Sequence, residues 1–288
     1  MNGALLGIFL LSALNNLAQS GSEIYLFDLK SKKGEVAISN PINITNHKGY
    51  DNQPSFDSEN SLIYYSSFNE DGRADIKTYH YKKKETKSFT TTPEREYSPT
   101  LTPDKHFISC IIQRDNEAQD LGKYPVSGGT PDVIIDNLIV GYHAWMDNSH
   151  LALFILGDVM TLHLYQLPTR QDTILASNIG RSLHKIPGER AFSFVQKISD
   201  SESLVKKVDL NSLKISTLTK TLPGHEDIAW TSDGLLVTSD GEQIFVFKPG
   251  QDSAWRAATI KSGKEVLKGV TRLAVSQKGD KLAVVVAE

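Results

Sequence analysis

A short strand, a polar turn and an apolar strand recur in that order six times along the chain, and no other feature limits the fold so strongly. The copies occupy residues 53–67, 99–112, 144–155, 185–195, 228–238 and 273–286, the fourth being the most degenerate. Taking the residue before each turn as a mark gives Phe56, Leu101, Trp145, Lys185, Trp230 and Val275, at steps of 45, 44, 40, 45 and 45 residues. A strand-rich period of roughly 40–45 residues is what four-stranded propeller blades produce. Helical periodicity is absent from every long window, and turn residues punctuate each boundary. The expected fold is all-β, a six-bladed β-propeller.

The ends of the chain fit that count. Two apolar-rich strands, at 23–29 and 35–44, precede the first mark, and the last repeat supplies only two strands, at 272–276 and 281–287. Two and two make one blade, so the N-terminal strands are expected to pair with the C-terminal ones and close the ring, leaving no open sheet edge. Residues 62–65, 151–156 and 282–286 are apolar at consecutive positions, as strands covered on both faces are.

The first twenty residues are of another kind. Residues 4–14 are apolar and too few to span a bilayer, and Ala18-Gln19-Ser20 follows as a small-x-small site. This reads as a signal peptide over 1–20, cleaved near Ser20, ahead of a propeller over 21–288 in the periplasm or outside the cell, with no membrane span in the mature chain; retention as an anchor is the alternative. With 31 basic and 34 acidic residues dispersed along the chain, no basic surface of the kind nucleic acid requires is expected. Cys110 is the sole cysteine, so no disulfide can form within the chain, and its apolar neighbours make it a buried small residue. Lys82, Lys83 and Lys84 form a solvated hairpin tip, and Asn43-Ile44-Thr45 matches a glycosylation triplet that counts only in a eukaryotic source.

An apolar or aromatic residue followed by a Ser/Thr-Pro/Ser-Asp-Gly-like turn and an apolar strand resembles the PD40 (WD40-like) repeats of TolB-like six-bladed propellers. Thr102-Pro103-Asp104 and Thr231-Ser232-Asp233-Gly234 carry the resemblance best, and Asn69-Glu70-Asp71-Gly72-Arg73-Ala74-Asp75-Ile76 looks like the loop into the third strand of such a repeat. The resemblance covers about residues 23–288, the propeller without the α/β domain that precedes it in TolB. It implies an envelope protein that holds a partner on a propeller face.

Propeller sites gather where loops from one blade's outer strand enter the next blade's inner strand, here 46–52, 92–97, 137–142, 178–181, 220–227 and 262–271. These carry Tyr50, Asp51, Asn52, Glu96, Tyr97, Tyr142, Arg181, Glu226 and Asp227, a mixed-sign aromatic set suited to hydrogen bonding a peptide or sugar. The leading expectation is a non-enzymatic module binding a protein or an envelope component, with no cofactor and with the oligomeric state open. The alternative is a metal-assisted enzyme on a carbohydrate or lactone. His143, His184 and His225 recur at steps of 41 residues and His47 occupies a similar loop, so four imidazoles could meet on one divalent ion, with Glu226 or Asp227 as further ligands. Resemblance to the metal-dependent oligogalacturonate lyases implies the same. Asp51, Asn52 and Asp227 are candidates for a calcium cage, and Asp51, Glu96 and Asp227 for acid–base pairing. No Gly-x-Ser-x-Gly elbow, His-Glu-x-x-His or phosphate-cradling loop is present. Trp145 and Trp230, at equivalent repeat positions, are expected to pack between blades.

Overall fold

The computed structural model describes residues 21–288; the expected signal peptide lies outside the described residues. Each repeat folds as an antiparallel sheet whose strands run outward from the centre in chain order. The first blade holds Asp51–Asp57, Leu62–Phe68, Ala74–His80 and Glu85–Ser88, and the second Arg95–Leu101, Phe107–Gln113, Gln119–Pro125 and Asp132–Ile135. The third runs from Val140–Trp145 to Gln171–Ser177 and the fourth from Ile179–Lys185 to Ile215–Lys220. The fifth is shorter, from Ala229–Trp230 to Arg256–Ala257.

The sixth blade closes the ring as the leftover strands predict. Val270–Val275 is innermost, Lys281–Ala287 follows, and Ser22–Lys32 and Glu35–Asn43 complete it from the other end of the chain. Seven consecutive pairs, Ser22 with Ala287 through Asp28 with Lys281, zip the two termini together. The period does not foresee a fifth strand on this sheet: Thr259–Ile260 leaves the fifth blade and pairs in parallel with Ala37 and Ile38. The fifth blade's outer strand is only two residues long. The chain beyond it finds its backbone partners on the neighbouring blade, where the Lys261 amide donates to the Ile38 carbonyl at 2.9 Å.

The core is divided into wedges between adjacent blades. In Ser22–Lys32, Ile24 and Leu26 pack with Phe56, Ile63 and Tyr65 of the first blade, while Phe27 and Leu29 pack with Val237 and Val246 of the fifth. Side chains alternate across a strand, so one strand fills two wedges and must be apolar on both faces. Burying a Phe or Ile there contributes roughly 1.5–3 kcal/mol. Cys110 is fully buried beside Ile112 and Tyr124, as its neighbours in sequence imply.

The residues behind the PD40-like pattern serve turns. Thr102 donates its hydroxyl to Asp104 at 2.6 Å, and Asp104 accepts the His106 amide at 3.0 Å. Asp57 accepts the amides of Glu59 and Asn60, Asp147 those of Ser149 and His150, and the Leu235 amide donates to Thr231. Such short polar side chains satisfy turn amides that have no ladder partner. Trp145 and Trp230 pack between blades as expected, and each is also anchored: their indole N–H groups donate to Ser109 and Ser193 of the preceding blade, both at 2.8 Å.

Candidate functional site

Three residues before each repeat mark stand Gln53, Ser98, Tyr142, Ser182, Asp227 and Arg272, and all six line a central channel of about 700 Å³. The backbone explains why. In the ladder between innermost and second strand, pairing slips between Asn52 and Ser55, Tyr97 and Thr100, Val140 and Tyr142, Ile179 and Leu183, and Val270 and Arg272. Five of the six innermost strands thus carry a bulge beside the ring position, and bulges re-aim side chains out of the regular alternation. Gln53 and Ser98 adopt left-handed backbone, with φ of 59° and 55°. The Ser98 amide is held by the Gln53 side-chain oxygen at 2.7 Å.

Above this ring a second cavity of about 900 Å³ opens at the mouth, between the third, fourth, fifth and sixth blades. Tyr142, Arg181, Asp227 and Arg272 line both cavities, so this is where they meet. The lining of the mouth cavity includes the apolar Phe154, Leu156, Met160 and Val270 and the polar His225, Glu226 and Lys197. Glu226 is engaged, at 3.5 Å from Lys197 and accepting the Ser203 hydroxyl at 2.9 Å.

The meeting point is charged and sparsely paired. One Arg272 terminal nitrogen reaches the Tyr142 hydroxyl at 3.3 Å, and its guanidinium lies 5.2 Å from the Tyr142 ring centroid. Its Nε is buried with no partner among the described residues. Among the described residues the Arg181 side chain donates only to the Thr271 carbonyl, at 3.3 Å. Asp227 accepts the Leu273 amide at 2.7 Å, tying the fifth blade to the sixth. Burial pushes the Asp227 carboxyl up, against the pull of Arg272 and Arg181. Burial would also raise the Tyr142 phenol, but the same two arginines outweigh it and hold it below its usual value. Tyr50 is pushed up by burial.

The sequence-predicted residues therefore divide. Tyr142, Arg181, Glu226, Asp227 and His225 border the mouth cavity. Tyr50 fills the interior instead, its ring 4.8 Å from Phe68. Asn52 turns its side chain onto the Gln53 amide. Asp51 and Glu96 are both 0% exposed and line neither cavity. Tyr97 packs into the wedge between the second and third blades. Glu96 accepts the hydroxyls of Thr92 and Tyr124, at 2.5 and 3.0 Å, and burial raises its carboxyl to about 7. Sequence reasoning missed Gln53, Ser98, Ser182 and above all Arg272, one residue past the last loop considered. Their shared offset from the marks was the signal that could have found them.

The histidines do not gather. His47 Nδ1 is 3.1 Å from Asp51, too poorly aligned for a hydrogen bond, and its Nε2 is 3.3 Å from the Ser67 hydroxyl. That order mimics a nucleophile–base–acid relay, but Ser67 is fully buried and no substrate can reach it. Burial raises Asp51 to about 6. His143 Nε2 is 2.7 Å from the Ser109 hydroxyl and His184 Nε2 is 3.0 Å from that of Ser182. Burial lowers these imidazoles to about 3 and about 4, keeping both neutral at physiological pH.

Together the closed ring, the wedge cores and the channel define a six-bladed β-propeller. No family model matches the chain, and no curated protein matches it. Among solved structures it is similar to a TolB candidate from Agrobacterium tumefaciens, at 12% identity and a TM-score of 0.70, covering 94% of this chain and 99% of that one. TolB from Acinetobacter baumannii gives 13% and 0.58, covering 92% of this chain and 63% of that one. An oligogalacturonate lyase in complex with manganese gives 16% and 0.58, covering 86% and 80%. Identities this low speak for the fold alone. The present residues do not fit an ion held by clustered side chains: among the described residues no three of His, Cys, Asp and Glu gather around one point.

Proposed function

We propose that the chain is an exported propeller that holds a protein or another cell-envelope component at its channel mouth without transforming it. The observation that carries this reading is the mouth cavity itself, about 900 Å³, with an apolar wall and charged groups where it meets the channel. Concave sites with a mostly apolar lining and a few convergent polar groups are where proteins hold ligands. Export rests on the apolar stretch 4–14 and the small residues before Ser20. Among the described residues no helix is long and apolar enough to cross a membrane.

The test is capture from a solubilised envelope fraction on immobilised protein, with Met160→Arg as comparison, since Met160 lies on the cavity wall. A component retained by the wild type and lost with Met160→Arg supports the reading. Equal retention moves the site elsewhere, and no retention removes the binding module. Manganese-dependent formation of unsaturated ends from polygalacturonate would replace it with the enzyme reading.

A further inference from the structure

The mouth cavity carries a chemical preference that can be read from its two arginines. Arg181 and Arg272 both border it, and Arg181 is anchored on the carbonyl of Thr271, next to Arg272 in the chain. A guanidinium offers five donors in a planar fork. Among the described residues each guanidinium makes one hydrogen bond, at 3.3 Å, Arg181 to a backbone carbonyl and Arg272 to the Tyr142 hydroxyl, and Arg272 Nε is buried and unpaired. Among the described residues neither forms an ion pair. Asp227, the nearby carboxylate, has one oxygen committed to the Leu273 amide, and Glu226 is committed to Lys197 and Ser203. Two cations thus share one anion that does not contact them. An unmade bond to the buried Arg272 donor is costly, and a guanidinium fork matches the two oxygens of a carboxylate.

We infer that Arg181 and Arg272 bind the terminal carboxylate of a polypeptide whose last side chain is apolar. The inference rests on the binding function proposed above and names what that site recognises. Three features select this ligand. The arginines lie where the cavity meets the channel, so a carboxylate at a chain end reaches them head-on, whereas an internal Asp or Glu would force its backbone to double back. Beside them, Phe154, Leu156 and Met160 offer a surface for an apolar side chain. Lys197, which also lines the cavity, keeps donors beyond its 3.5 Å contact with Glu226 for the carbonyls of the incoming backbone.

The experiment is fluorescence anisotropy on the purified protein with two probes. Both are amino-terminally fluorescein-labelled pentapeptides of sequence Gly-Ser-Gly-Ser-Leu, one ending in a free acid and one in an amide. The acid is expected to bind at least about tenfold tighter, the discrimination that charge-assisted bonds to one carboxylate give. Arg272→Gln and Arg181→Gln should each reduce that discrimination to about threefold or less. Arg181 is exposed, so its variant tests the site even if Arg272→Gln fails to fold. Equal affinity for acid and amide overturns the inference, as does no binding of either at ~1 mM, or discrimination that survives both substitutions. Unlabelled 4-methylpentanoate competing as strongly as unlabelled peptide acid would reassign the site to a small acid and overturn the chain-end identification. An envelope component that binds through the mouth equally well with its carboxyl terminus amidated sinks this inference and leaves the binding function standing. Loss of all capture sinks the function itself.

Discussion

Ser193→Ala is the sharpest probe of how the blades are held in register around the channel. The Trp230 indole N–H donates to Ser193 Oγ at 2.8 Å, and the two residues are 9% and 0% exposed, so water cannot replace the lost acceptor. The other contact of this hydroxyl, to the His184 carbonyl, is at the 3.5 Å limit and adds little. Orphaning one buried neutral donor costs about 1–3 kcal/mol. For a domain somewhat above 200 residues, each kcal/mol lowers Tm by roughly 2–4 °C. Urea unfolding should therefore show a lower midpoint at unchanged slope. The same substitution in a Trp230→Phe background should be close to neutral, because the donor is already gone. The cycle then isolates a coupling of about 1–2 kcal/mol, within the range seen for contacting pairs. Equal costs in the two backgrounds, within ~0.3 kcal/mol, would refute the inter-blade anchor and reduce Trp230 to packing alone.

Three further outcomes follow from the same geometry. Phe27→Ala, at a fully buried position in the closing strand, should cost about 3–5 kcal/mol in urea unfolding; a loss under ~1 kcal/mol would mean that the sixth blade contributes little to stability. Glu96 carries a carboxyl raised by burial to about 7 in the folded chain from 4.5, so the folded state binds its proton more tightly and this group's contribution falls as pH rises from about 4.5 to about 7. Glu96→Gln should flatten that part of the stability profile relative to wild type; identical profiles would show that Glu96 ionises freely. Dialysis against EDTA, or addition of millimolar manganese, should leave Tm within ~1 °C; a larger shift, read as mass-action stabilisation, would reveal an ion site the described side chains do not form.

Much of this architecture was legible because it is one-dimensional. The step between Phe56, Leu101, Trp145, Lys185, Trp230 and Val275 is the length of chain a four-stranded blade uses, so counting residues counted blades. The unpaired strands at either end announced the closing blade for the same reason. Turn chemistry at Thr102, Asp104 and Thr231 is likewise local. The site was legible only in part. Loop position alone nominated Asp51 and Glu96, yet a residue one step from a bulge can point between strands as easily as into the channel, and burial there raised both carboxyls. The spacing of His143, His184 and His225 was regular, but their offsets from the marks differ: His143 and His184 meet the separate hydroxyls of Ser109 and Ser182, while His225 borders the mouth cavity. Arg272 shares its offset with Tyr142 and Asp227, yet sequence could not say that these three meet. Closing six sheets around one axis sets which side chains converge, and that distance, together with the unpaired Nε it leaves on Arg272, exists only in three dimensions.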